Sequence, residues 1–332
     1  MIMDYLKFNI SRLYYLLDIS CLRRKIRERL FNQFHNFLKD NGDTPSETID
    51  IIPINSWERR RTDPLIENLI GKSLKKVSLK FPFSDNPDQV INEEIKSIAP
   101  VSGNRIFELT LKNMKNPDDI IILPVKRGCL VRDPNSLKSH LFLKSRLFRN
   151  TSYSSICDTI YFTSALALPS VDSVMLHGVG IKDRERGYMF LGLSGSGKST
   201  IAKLSSGKEI ISDDGLIVER DRSGFSISLA PLNQLSDHIE EGEANCYRRS
   251  VLSAGFLLVK DNKNYLEKLL PENVCSIIIK NHIHYFRYFS HEGVEKTFYL
   301  ISDLCRRVPF YALHFKKDAS FWRSIEDEMS RI

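Results

Sequence analysis

The chain has 332 residues, 42% hydrophobic and 27% charged, a composition of ordinary globular proteins with length enough for two domains. No apolar run approaches the ~20 residues of a membrane span. Asp4, Lys7, Arg12 and Asp18 interrupt the N-terminal apolar stretches, so no signal peptide is expected either. Six cysteines, at 21, 129, 157, 246, 275 and 305, include no C-x-x-C pair. That argues against a zinc site or a disulfide framework and for a reduced, cytoplasmic compartment.

The net charge is +7, and residues 1–40 carry eight Lys/Arg against four Asp/Glu, an excess of four. Most of it lies in Arg23-Arg-Lys-Ile-Arg-Glu-Arg29. Residues 1–40 are predicted to be helical. Leu22, Ile26, Leu30, Phe34 and Phe37 recur at three- and four-residue steps, giving one apolar face that needs a partner, which the protein's own body can supply. The basic face reads as a solvated surface, or as a contact for nucleic acid, an anionic membrane or an acidic partner.

Asp40-Asn-Gly-Asp-Thr-Pro-Ser46 is a turn-forming stretch that ends this segment. From about 48 to 131 the pattern turns to β, with predicted strands at 49–52, 76–81, 105–112, 119–123 and 128–132. That region carries no chemical motif. Ser154 or Ser155 can cap a helix running to Leu168 and stopped by Pro169. Strands are predicted at 171–180, 188–191 and 209–212. A hairpin follows over 216–229, turning at Asp221-Arg-Ser-Gly224. A buried strand at 254–259, three helical stretches, a strand at 309–315 and a final helix at 320–331 complete the chain.

Gly192-Leu-Ser-Gly-Ser-Gly-Lys-Ser-Thr200 fits the phosphate-cradling pattern G-x-x-x-x-G-K-[ST] in full, between a predicted strand and a predicted helix. Glycines 192, 195 and 197 let successive backbone N–H groups converge on one point. Lys198 is placed to reach the β- and γ-phosphates, and the Ser199 hydroxyl to ligate Mg²⁺. The nucleotide-binding set is therefore Gly192, Ser194, Gly195, Ser196, Gly197, Lys198, Ser199 and Thr200. Asp213-Asp214 follows Lys198 by about 15 residues, at the end of a predicted strand, where such a loop needs a metal-holding acid. On an extended backbone the two carboxylates point to different sides. One can face the metal and the other can take a proton from an acceptor hydroxyl. His177 lies among apolar strand residues, a position usual for a core or edge histidine. The flanking Gly178 and Gly180 suggest a close approach by a ligand or another backbone.

Leu176-His-Gly-Val-Gly180, the loop with its feeding strand, and Ile211-Ser-Asp-Asp-Gly215 resemble the catalytic core of HPr kinase/phosphorylase and its relatives. Those relatives include small serine and precursor-peptide kinases and the ATP-dependent phosphoenolpyruvate carboxykinases. The resemblance covers about 170–220 closely and the C-terminal part more loosely. It implies an α/β fold with a mixed-sheet phosphate-loop core, and ATP and Mg²⁺ as cofactors. It further implies Ser199 and Asp214 on the metal, Lys198 and the 194–199 backbone on the phosphates, Asp213 as the base, and His177 in the active site. The basic segment that HPr kinases carry after the double aspartate is not found, which argues against HPr as acceptor. Arg248 and Arg249 are the nearest basic candidates for substrate contact.

The domain reading is thus a basic helical segment over 1–45, a small mixed domain over 46–150 and a phosphate-loop kinase domain over 151–332. The expected function is transfer of the γ-phosphate to a hydroxyl, first of serine in a peptide or protein. A small-molecule kinase acting on free serine or another metabolite, and a nucleotide-sensing regulator, are the alternatives. Homo-oligomerisation is left open.

Overall fold

A computed structural model describes residues 5–20, 22–34, 37, 45–54, 107, 111, 120–125, 128–133, 138–144, 150–222, 224–231 and 249–331. The chain is a mixed α/β protein that divides into two compact units, Met1–Ser164 and Ala165–Ile332. Among the described residues no helix is long and apolar enough to cross a membrane.

The first unit is built on a six-stranded mixed sheet. In chain order its strands are β1 (Tyr5–Ile10), β2 (Leu13–Asp18), β3 (Glu47–Ile54), β4 (Ile121–Val125), β5 (Gly128–Asp133) and β6 (Lys138–Lys144). They lie side by side as β1-β2-β3-β6-β5-β4. The N-terminal helix expected over residues 1–40 is corrected here: its first half is a hairpin. Leu6, Phe8 and Ile10 are fully buried while Lys7 and Asn9 between them are not, a period of two that belongs to a half-buried strand. Phe8 pairs across the hairpin with Tyr15, and their rings stack at 5.2 Å. Because β1 and β2 share a sheet with β3, residues 1–45 are not a separate helical element.

A helix does follow, α1 (Arg24–Phe34). Leu22, Ile26, Leu30, Phe34 and Phe37 are all buried, and Phe34 packs on Phe8 at 5.4 Å. The apolar face therefore finds its partner within the chain. Much of the basic cluster is also engaged internally. Arg24 pairs with Glu28, Arg27 donates to the carbonyls of Ser20 and Leu22, and Arg29 lies 4.0 Å from the Tyr153 ring centroid. The strand expected at 105–112 is also corrected, since the two residues described there, Phe107 and Leu111, are helical. The strand expected at 76–81 lies outside the described residues.

The helix α2 (Asn150–Ala167) ends where expected, ahead of Pro169, in a 3-10 turn over Leu168–Val171. Its buried hydroxyls, Thr159, Thr163 and Ser164, bond to carbonyls four residues back, which is how an apolar helix accommodates them.

The second unit holds β7 (Ser173–Asp183), β8 (Arg186–Leu191), β9 (Glu209–Ser212), β10 (Gly215–Arg220), β11 (Phe225–Leu229), β12 (Arg249–Lys260), β13 (Tyr265–Lys268) and β14 (Phe310–Phe315). Their order is β11-β10-β7-β8-β12-β14-β13, with β9 on β7 and β11 also pairing with the start of β12. β8, β12 and β14 run parallel. One apolar layer joins Phe190, Phe256, Tyr311 and Phe315 to α3 (Lys198–Leu204) and α6 (Phe321–Met329). A second joins Leu176, Leu191, Leu216 and Phe310 to α4 (Pro271–Asn281) and α5 (His291–Arg307). Phe190, Phe256 and Tyr311 stack across three neighbouring strands at 5.1 and 6.0 Å, so aromatic pairs hold the parallel part of the sheet in register.

Candidate phosphate-loop site

Leu191 ends β8, and the chain turns at once into the glycine-rich loop. Gly195 (φ 77°) and Gly197 (φ 112°) take the left-handed conformation, which only glycine adopts without strain. The turn is closed by Ser196 N–H donating to the Leu193 carbonyl at 3.0 Å. The loop also rests on the end of β14: a Cβ on Gly197 would lie 2.5 Å from Phe315 Cζ. Gly197→Ala is therefore expected to destabilise by about 1–3 kcal/mol through strain and overpacking, read as a lower denaturant midpoint with an unchanged slope.

Lys198 is buried and folds back on its own loop, with Nζ donating to the carbonyls of Gly192 at 2.7 Å and Leu193 at 3.2 Å. Burial lowers its pKa, and the nearby Asp214 carboxylate opposes that shift. Ser196 Oγ is buried with no hydrogen-bond partner among the described residues. A Cβ on Gly192 would fall 2.2 Å from that Oγ, so the loop closes around a side chain whose hydroxyl is uncommitted. Ser194 and Ser199 are exposed and Thr200 is half-buried.

The strand ladder brings the other expected residues to this loop. Gly178 of β7 pairs with Leu191, the last residue before the loop, and His177 pairs with Gly215, the first residue of β10. Gly178 N–H donates to the Asp214 carbonyl at 2.9 Å. The loop's origin, His177 and the double aspartate thus lie on adjacent rungs of one sheet. Asp213 and Asp214 form a bend between β9 and β10, not extended backbone as expected. Strict alternation of side chains does not hold there, and Asp214 Oδ1 lies 2.9 Å from His177 Nδ1 although their backbones sit on neighbouring rungs. That hydrogen bond, first, lowers the Asp214 pKa, with His177, His284 and Lys198 adding attraction against the cost of burial. Asp214 is therefore a carboxylate, and the proton between the two groups sits on Nδ1. Asp213 is half-buried beside it.

The glycines flanking His177 receive a packing explanation. A Cβ on Gly178 would lie 2.6 Å from Leu191 Cδ2, and one on Gly180 would lie 2.5 Å from Leu216 Cδ1. What approaches them is the protein itself.

Two residues escaped the sequence reading. His282 is buried, His284 is half-buried, and both follow α4. His284 meets the His177 ring edge-on, at 5.4 Å between centroids and 86° between planes. Burial pushes the pKa of both from 6.5 to about 4, helped by Lys198 at His282 and by His177 at His284. The signal that could have found them is Asn281-His-Ile-His284, two histidines at a spacing of two, which point to one side only if the segment is extended.

These shifts carry a sign. The folded chain keeps both rings neutral, whereas the unfolded chain takes up protons near pH 6.5. Their contribution to stability is complete above about pH 6.5 and falls as the pH drops toward about 4. Denaturant titrations at pH 7.5 and 5 are expected to show lower stability at pH 5, and His282→Gln to reduce that difference.

Arg249 sits apart from the loop. It pairs with Glu219 at 3.2 Å and Asp221 at 3.1 Å and donates to Ser226 Oγ. It precedes Leu257, the β12 residue paired with Leu191, by eight positions, about 26 Å of strand. Arg248 lies outside the described residues. Among known proteins, neither a family model nor a curated sequence matches this chain.

Proposed function

We propose that the second unit is a kinase of the HPr kinase/carboxykinase type, transferring the γ-phosphate of ATP to a hydroxyl, that of serine in a peptide or protein. The observation that carries this reading is the meeting of the loop's origin, His177 and the double aspartate on adjacent rungs, although His177 and Asp214 lie 37 positions apart in sequence. A nucleotide-binding turn needs a lysine and one metal acid. A second carboxylate and an oriented imidazole beside them are what acceptor chemistry adds.

The residues present suit ATP and Mg²⁺. The left-handed glycines open the loop's N–H groups toward phosphate, Ser196 Oγ has a hydrogen to give, and Lys198 can exchange its two carbonyls for phosphate oxygens. Ser199 and Asp214 would hold Mg²⁺, which when bound neutralises charge on the β- and γ-phosphate oxygens. Among the described residues no three His, Cys, Asp or Glu side chains form a metal-binding group, so phosphates and water would supply the rest of the cation's shell.

The role of each side chain follows from its chemistry. Asp213 accepts the hydroxyl proton as the acceptor oxygen bonds to the γ-phosphorus and the bridging bond to ADP breaks. Lys198 binds the phosphate oxygens. His177, fixed through Nδ1, keeps Nε2 as its remaining polar atom beside the reacting groups. His177→Gln preserves polarity and bulk, so a purely structural histidine would tolerate it. We expect at least an ~10-fold loss of turnover at unchanged melting temperature, compared by steady-state rates and thermal unfolding.

Incubation of the full chain with γ-³²P-ATP, Mg²⁺ and a cell lysate tests the assignment. A labelled protein band, stable to acid as phosphoserine is, supports it. Label only in small molecules would move the acceptor to a metabolite, and no label above a Lys198→Ala control would leave a nucleotide-binding regulator.

A further inference from the structure

We propose that His284 is a positioning residue that holds the His177 imidazole in its bonded orientation on Asp214. The strand carrying His177 is covered along one edge by β9 and β10, but β8 reaches only as far as Gly178 along the other. There the His282–His284 segment continues the sheet by one rung. His177 N–H donates to the His282 carbonyl at 2.8 Å, His284 N–H donates to the Met175 carbonyl at 3.1 Å, and Leu176 pairs with Ile283. These bonds bracket Leu176 and tie down the backbone N–H of His177.

The ring needs more than that. The terminal torsion of histidine is broad, so one hydrogen bond to Asp214 leaves the imidazole able to pivot about it. The perpendicular ring of His284 packs against it, with the ring centroids 5.4 Å apart. A bonded carboxylate on one side and a crossed aromatic ring on the other define a single orientation. They also turn Nδ1 toward Asp214 and leave Nε2 as the ring's other polar atom.

This inference rests on His177 acting in the proposed kinase site, but its first readout needs no catalysis. Long-range ¹H–¹⁵N spectra of the imidazoles, with His177 assigned by its loss in His177→Gln, report the tautomer directly. The expected wild-type pattern is a single Nδ1-protonated form. His284→Ala should give an averaged or broadened His177 pattern and an ~10-fold lower kcat with unchanged KM for ATP. His284→Phe, which restores a ring at that position, should recover both. A His177 pattern and kcat at wild-type values in His284→Ala would overturn the proposal. Should the alanine variant not fold, His284→Gln, polar but without a ring, takes its place with the same two outcomes. If the wild type transfers no phosphate at all, a changed pattern in the variant still supports the positioning role, while the kinase reading falls separately.

Discussion

Lys198→Ala is expected to weaken ATP binding by roughly 10- to 100-fold, the usual value of hydrogen bonds from a charged donor. Turnover should fall by about a further 10²–10³-fold, because the same ammonium would stabilise charge gathering on the transferring phosphate. The substitution has a second consequence in the resting protein. Lys198 Nζ is the donor for the Gly192 and Leu193 carbonyls, and Leu193 also accepts from Ser196 N–H. Loss of the lysine therefore takes that donor from the Gly192 carbonyl and leaves the Leu193 carbonyl its bond from Ser196 N–H, and the loop should relax without unfolding the unit. Calorimetric titration with ATP separates these effects from global instability when paired with thermal unfolding. Unaltered affinity in a folded Lys198→Ala protein would place the phosphates elsewhere.

Asp213→Asn should behave differently. If Asp214 serves the cation and Asp213 the acceptor proton, the variant keeps affinity for ATP with Mg²⁺ and loses turnover by about 10²–10⁴-fold, the range of a general base. The division follows the surroundings of the two acids. Asp214 is bonded to His177 and feels the Lys198 charge, both of which hold it ionised. An acid held ionised by such neighbours suits a ligand better than a proton acceptor. Loss of ATP affinity in Asp213→Asn equal to that in Lys198→Ala would reverse the roles.

The second unit was largely legible because its local signals agree. A strand, a glycine loop and a helix are contiguous in sequence, and the hairpin over 216–229 declares itself by a turn between two apolar runs. The histidine clamp was not legible, because an isolated bridge such as Leu176 with Ile283 is long-range pairing with no local pattern of its own. Residues 281–284 follow an amphipathic helix and read as its continuation. The bend at Asp213-Asp214 is the turn that an acidic pair followed by Gly215 also allows, and alternation, a property of regular strand, does not extend through it.

In the first unit the error was one of period. Leu6, Phe8 and Ile10 alternate with less buried residues. Leu13, Tyr14 and Tyr15 are all buried, so β2 carries no clean period of two and the helical spacing from Leu22 onward reads back over it. The five apolar residues of that spacing were correctly read as a buried face, and their burial within the chain removes the need for an external partner there. Strand β6 was missed because Lys138-Ser-His-Leu-Phe-Leu-Lys144 is short and begins polar, and its place between β3 and β5 is fixed by tertiary pairing.

The most direct test of the account is equilibrium titration of ATP into the full chain, with and without Mg²⁺, for the wild type, Ser199→Ala and Asp214→Asn. The account predicts one ATP per chain and tighter binding with Mg²⁺. It also predicts that each variant loses the gain due to Mg²⁺ while keeping the Mg²⁺-free affinity. Absence of saturable ATP binding, or a Mg²⁺-dependent gain that survives both substitutions, would contradict it.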